Sequence, residues 1–482
     1  MALFLIGLVI LAVGGFFYGK YVEKVFGPDD REPPAIRLAD GVDYVGMSKG
    51  KNALIELLNI AGTGPILGPI QGILFGPIAF LTIPIGCVLA GATHDYFVGM
   101  ISIRNNGNQV PKLISRYMGG KANKIYIVII CILMLLTGVV FIYTPGDLIV
   151  NDLLGMDVNS SAIWYAYAGI LLYYIVATLF PIDKIIGRVY PIFGAVLIIS
   201  AIGIFIGVVL TGGADLHNMT QGALISKHPT GQLFVPVFFI TVACGILSGF
   251  HGSQATLISR TTKSEFEGRN IFYNSMLIEG FIAMAWAAGA MVVFNRGTAL
   301  DTNATLMVGN ISREFMGKIG GLFAIAGVII LPITSGDTAF RSLRLMVAEQ
   351  INFDQSTAKH RVLLSLVLFI PAVLILFFAK SNAQGFQILW RYFGFTNQLV
   401  AVFALALISV YLKMHGKNYC ITMIPGMFYA FIVVSYITSA DFGLHLPMNV
   451  AYVLGVIGAA FFCFMISKVV KNRGDEVMKT EQ

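Results

Sequence analysis

The sequence predicts an all-α polytopic membrane protein of about thirteen transmembrane helices, ten of which form two oppositely inserted blocks of five. Three observations carry this. The chain is 57% hydrophobic and only 12% charged, with mean hydropathy +0.80, and a soluble protein carries about twice that charge. Lys and Arg alternate from loop to loop. Two apolar spans, at corresponding positions in the two blocks, are interrupted by glycine, proline and polar residues.

A window of about 19 residues places spans near 2–19, 53–75, 77–103, 122–143, 161–180, 190–211, 233–258, 270–294, 316–340, 361–379, 388–412, 419–438 and 449–468. The first has its basic residues, Lys20 and Lys24, behind it and no small-residue cleavage site. It is expected to be a retained span with the N-terminus outside. Segments 20–52, 104–124, 181–189, 259–269, 341–361, 413–418 and the tail from 468 then fall on the cytoplasmic side and hold 26 of the 32 Lys and Arg residues. An error in the count would scramble the alternation beyond it. The net charge of +7 therefore marks a membrane face, and no nucleic-acid partner is expected.

The five cysteines lie in or beside apolar runs without metal-type spacing and read as small buried hydrophobes. The chain is expected to be one transmembrane domain: helix and connector 1–52, first repeat 53–211, second repeat 233–412, two accessory helices 419–468 and a tail 469–482. The expected surroundings are a lipid bilayer and a small-molecule substrate, with no cofactor beyond a coupling proton or sodium ion. An enzyme would need a nucleophile or metal cluster such as an HExxH helix, and none is present. A sensor would need an output domain, and the tail is too short.

Five is an odd number, so spans two to six and seven to eleven insert with opposite orientation. Each block opens with an interrupted span. Gly62, Thr63, Gly64, Pro65, Gly68 and Pro69 cannot make a regular helix, and prolines stand where a phosphate loop would need N–H donors. In the other block Gly245, Ser248, Gly249, Phe250, His251, Gly252 and Ser253 fill the span at membrane depth. Irregular backbone survives in hydrocarbon only inside protein or against a cavity, and paired interruptions in inverted halves point to a transporter's binding site. Substrate is expected between Gly62–Gly68 and Ser248–Ser253.

Ionisable residues within spans are costly and functional by default. Asp95 and Glu279 both fall near mid-membrane. In the ninth span Thr334, Thr338 and Arg341 share one helical face with Ser335 and Asp337 close by. Asp337 and Arg341 can be a structural i, i+4 ion pair, or the hydroxyls and carboxylate can hold a coupling proton or sodium, with Thr334 and Ser335 as the sodium ligands. Asp337, Thr334 and Ser335 lead as coupling residues, with Asp95 and Glu279 as alternates. His251 can pass a proton near neutral pH or bond to freed carbonyls. Glu56 is expected at the interface, and Arg391 to snorkel to the outer surface.

Five stretches also carry a family resemblance: IAGTGPILGP (60–69), GATHDYFVGMISIRNNG (91–107), ITVACGILSGFH (240–251), Thr334-x-x-Asp337-x-x-x-Arg341 and LWRYFGFTNQL (389–399). The chain resembles the carbon starvation protein A family of bacterial transporters, in shortened form. That resemblance implies a leucine-transporter-type fold of inverted five-helix repeats and a place in the bacterial inner membrane. It also implies secondary transport of pyruvate or peptides, with proton symport. Family members carry histidines where this chain has Ile55 and Glu56, and Gln where it has His94, while Asp95 matches.

Overall fold

In a computed structural model, which describes all residues except 42–43, 180–182, 217–223, 299–303, 356, 442 and 482, the regular elements are all helices. Helix α1 (Ala2–Phe26) leads through a connector to α2 (Lys49–Ile60) and α3 (Gly64–Phe75), which meet at a bend of 50°. Then come α4 (Ala79–Arg104), the short amphipathic α5 (Val110–Met118), α6 (Gly120–Leu153), α7 (Ala162–Leu179) and α8 (Asp183–Thr211). The second block runs α9 (Phe234–Thr241), α10 (Gly249–Ile258), α11 (Glu265–Asn295), α12 (Thr305–Ile351), α13 (Ala358–Ser381) and α14 (Gly385–Met414). A hairpin of α15 (Cys420–Ser439) and α16 (Met448–Glu481) closes the chain.

Among the described residues ten helices are long and apolar enough to cross a membrane, or eleven with α2–α3 taken as one bent span. The other two expected spans take a different form. One is the shorter apolar helix α7, and the other is the pair α9 and α10, separated by seven non-helical residues. Helix α12 runs well past both ends of its expected span, with a kink at Gly317, whose φ is +66°.

Packing sorts the helices by their position within each block. The first two spans of both blocks, α2–α3, α4, α9–α10 and α11, contact one another as a first bundle. The third and fourth spans, α6, α7, α12 and α13, form a second, with α12 lying along α6. The fifth spans, α8 and α14, bridge: α8 packs on α11 and α12, and α14 on α6 and α10. This repetition of roles is the leucine-transporter-type architecture. Helix α1 leans on α4, and α15–α16 on α14. All five cysteines are free.

The connector after α1 is pinned to the bundle. Arg104 grips Glu265 through two bonds, Nε–Oε1 at 2.9 Å and Nη2–Oε2 at 2.8 Å, and its guanidinium lies 4.1 Å over the Phe26 ring. Asp29 joins through Arg31 at 2.6 Å. The hydrogen bond from Arg31 holds the Asp29 carboxyl at about 2, below its ordinary 3.8. A depressed carboxyl contributes stability above its unfolded value and loses it as pH falls through the folded one. Asp29→Asn is therefore expected to lower stability near neutrality, to leave it unchanged below about pH 2, and so to flatten the acid limb of a stability profile between about pH 4 and pH 2, read by thermal unfolding at a series of pH values.

Candidate functional site

Both interrupted spans break where glycine, proline and short polar residues concentrate. In the first, Ala61 leaves helical geometry with ψ +51° and Pro65 sits in the first turn of α3. In the second, Val242 ends α9 with ψ +52°, Gly245 takes φ +87° and Ser248 is extended with φ −137°. The φ of Gly245 is one that a side chain disfavours.

The breaks touch. A Cβ on Gly64 would lie 2.3 Å from Cys244 Sγ, and one on Gly68 would lie 2.9 Å from the Thr241 carbonyl oxygen. Gly64→Ala is expected to cost about 1–3 kcal/mol by overpacking, and Cys244→Gly in the same chain to restore most of it. A double-mutant cycle of unfolding temperatures reads the coupling.

Helix α14 supplies the bonds that the second break lacks. Asn397 Oδ1 accepts the Phe250 N–H at 2.9 Å and the Ser248 hydroxyl at 3.2 Å, while its Nδ2 lies 3.0 Å from Ser248 Oγ. Gln398 Nε2 donates to the carbonyls of Phe239 and Leu247, both at 3.1 Å, and Trp390 Nε1 to that of Thr241 at 3.0 Å. These three residues lie inside the LWRYFGFTNQL stretch. Adjacent amides in an apolar helix are a signal that Asn397 and Gln398 bond to something, though not to what.

Each member of the first bundle contributes an ionisable side chain to one cluster, and every one of these is 0% exposed: Glu56 from α2, His94 and Asp95 from α4, His251 from α10 and Glu279 from α11. Asp95 stands between two imidazoles, with Oδ1 2.7 Å from His94 Nδ1 and Oδ2 3.1 Å from His251 Nδ1. The far side of His251, Nε2, is 3.6 Å from Glu279 Oε1. The carboxylate oxygens of Glu56 and Glu279 and Nε2 of His94 and His251 have no hydrogen-bond partner. An ionised carboxylate is costly in such an interior unless paired, so three carboxyls and two imidazoles persist there only near overall neutrality, by sharing protons. Glu56 thus corrects the interfacial expectation: α10 and α11 both pack against α2 and enclose it.

The remaining candidates divide. Gly62, Thr63, Gly64, Pro65 and Gly68 line the first break and are buried, and Thr63 Oγ1 has no partner. Ser248, Gly249 and Phe250 lie at the start of α10, with Ser253 half-buried one turn on. Residues 334–341 are on α12, in the second bundle and apart from the cluster. Thr334 donates its hydroxyl to the Leu331 carbonyl at 2.9 Å, and Thr338 is exposed. Asp337 pairs with Arg341 at 3.3 Å, the i, i+4 ion pair. Ser335 Oγ is buried without a partner. Arg391, expected at the outer surface, is half-buried beside a cavity. No group of three or more His, Cys, Asp or Glu among the described residues could hold a metal ion.

Comparison with known proteins places this arrangement. The family described as carbon starvation protein CstA matches residues 1–154, 146–312 and 287–436. An uncharacterized membrane protein of Haemophilus influenzae is 40% identical, over 62% of this chain and 93% of its own. The peptide transporter CstA of Escherichia coli is 26% identical, over 85% of this chain and 76% of its own. The pyruvate/proton symporter BtsT of the same species is 28% identical, over 58% and 47%. Among solved structures, the manganese transporter of Eremococcus coleocola superposes with a TM-score of 0.56 at 12% identity, over 90% of this chain and 95% of its own, a likeness of fold alone.

Proposed function

The chain belongs to the carbon starvation protein CstA family, and from that premise we propose that it is a secondary active transporter importing a small carboxylate, pyruvate or a close relative, in symport with protons across the bacterial inner membrane. The observation that carries the coupling is the buried set Glu56, His94, Asp95, His251 and Glu279. It gathers proton-holding groups from all four members of one bundle, and His251 ties it directly to the second break. A proton bound there changes the charge of a region that must rearrange if α10 moves. Substrate lies between Gly62–Gly68 and Ser248–Ser253, where the α3 and α10 N-termini turn their positive dipole ends toward an anion.

Uptake into proteoliposomes tests this reading. Pyruvate is expected to accumulate above its outside concentration under an inward proton gradient, and to equilibrate without one. Equilibration alone under every gradient would mean a channel.

Two other readings have support. The relatives named peptide transporter favour a peptide cargo, which needs anchors for both termini. The unpartnered hydroxyls of Ser335 and Thr63 favour sodium, which an oxygen cage of hydroxyls and break carbonyls would hold. Running the same assay with dipeptides and with a sodium gradient separates them.

A further inference from the structure

Beyond the seam between the breaks lies a cavity of about 90 Å³, bordered by Gln71, His228, Thr241, Gln387 and Arg391. One water needs ~10–15 Å³ of such space, so the cavity has room for a three-carbon acid. Its lining sets these polar groups among the apolar Leu74, Phe75 and Pro229. Gln71 lies on α3, its Nε2 donating back to the Leu67 carbonyl at 3.2 Å, which leaves its amide oxygen for another partner. Thr241 is the last residue of α9, at the second break. Gln387 and Arg391 stand one turn apart on α14, on the same face. His228 comes from the loop ahead of α9. Its Nδ1 accepts the Thr230 N–H at 3.2 Å, so Nε2 carries the ring proton. Burial pulls His228 down to about 4, and the Arg391 cation pushes the same way, which keeps the ring neutral at physiological pH.

Arg391 makes no ion pair with a described carboxylate. A guanidinium half-buried at the end of a span is costly to leave without a directly paired anion, and the Asp441 carboxylate acts on it only from beyond ion-pair distance. Its planar fork matches a carboxylate through two parallel N–H···O bonds. The geometry points to a monocarboxylate docking site in this cavity. Arg391 grips the carboxylate, while Gln387, Gln71 and the Nε2–H of His228 serve a keto or hydroxyl oxygen at the other end. The site lies one step outside the breaks, on the face that the distribution of basic residues assigns to the exterior, so it would select small anions before they reach the seam. The inference rests on the carboxylate-transport reading and adds to it a selectivity residue.

The test is calorimetric binding of pyruvate, with acetamide as a neutral control, to the purified full chain in nanodiscs, paired with driven uptake in proteoliposomes. Arg391→Gln is expected to weaken pyruvate binding about tenfold or more, as loss of a charge-assisted pair does. Gln387→Glu keeps Arg391 but offers it an i, i+4 partner, so it is expected to weaken binding comparably even if Arg391→Gln folds poorly. Wild-type affinity for pyruvate in both variants, with wild-type uptake intact, overturns the docking site and leaves the transport reading standing. A wild-type protein that neither binds nor accumulates pyruvate removes both.

Discussion

Asp95→Asn is expected to abolish proton-driven accumulation while leaving substrate exchange in place. The substitution keeps the side chain's shape but removes the carboxylate that both His94 and His251 contact. With no charge between them, the imidazoles lose the partner that lets a proton reside in the cluster. Accumulation under a proton gradient is expected to fall at least about tenfold, on the scale of one charge-assisted hydrogen bond. Counterflow, in which labelled and unlabelled pyruvate swap without net proton movement, is expected to remain close to wild type. Unchanged accumulation in Asp95→Asn would move the coupling site elsewhere, and Asp337→Asn is then the variant to compare. The two variants probe different bundles, so their effects separate.

The largest stability effect is expected at Asn397. Replacing it with Leu keeps an apolar helix apolar, yet it strips the Phe250 N–H and the Ser248 hydroxyl of their acceptor. Ser248 and Asn397 are both 0% exposed and Phe250 8%. Leaving a buried donor unsatisfied costs about 1–3 kcal/mol each, so a loss of about 2–6 kcal/mol is expected for the two, read as a lower unfolding temperature in detergent or nanodiscs. Asn397→Asp retains an acceptor at the N-terminus of α10 and is expected to lose less. Equal losses in the two variants would show that packing against Gly249, not the cap, sets the cost.

Much of the fold was legible because its signals are local. Gly62–Pro69 and Gly245–Ser253 disrupt a helix through their own stereochemistry, so the broken spans and their place in each block could be read directly. The residues that close those breaks were not legible. Asn397 is 147 positions from the Phe250 N–H that it satisfies, and nothing in an apolar helix with a Thr-Asn-Gln run says which groups it will meet. Asp95 and Glu279 could be flagged one by one because a charge at membrane depth is conspicuous. Their meeting through His251, 156 positions from Asp95, depends on how four helices pack. Glu56 was misjudged for the same reason: its distance from the end of its helix suggested an interface, and two helices from the other block cover it. At Thr334 and Thr338 the face was read correctly, but helical hydroxyls commonly turn back to their own carbonyls, as both do here.

Helix α14 carries Arg391 at the cavity and, six residues on, Asn397 at the break, about 9 Å apart along one uninterrupted rod. A rod that long and that well packed transmits a tilt without absorbing it. Whatever strain an anion on Arg391 places on the lacing at Ser248 and Phe250, loosening that lacing must return to the anion's affinity by the same factor, because linkage is reciprocal. Recognition of the cargo and the opening of the second break then become two readings of a single equilibrium, set by how one helix leans.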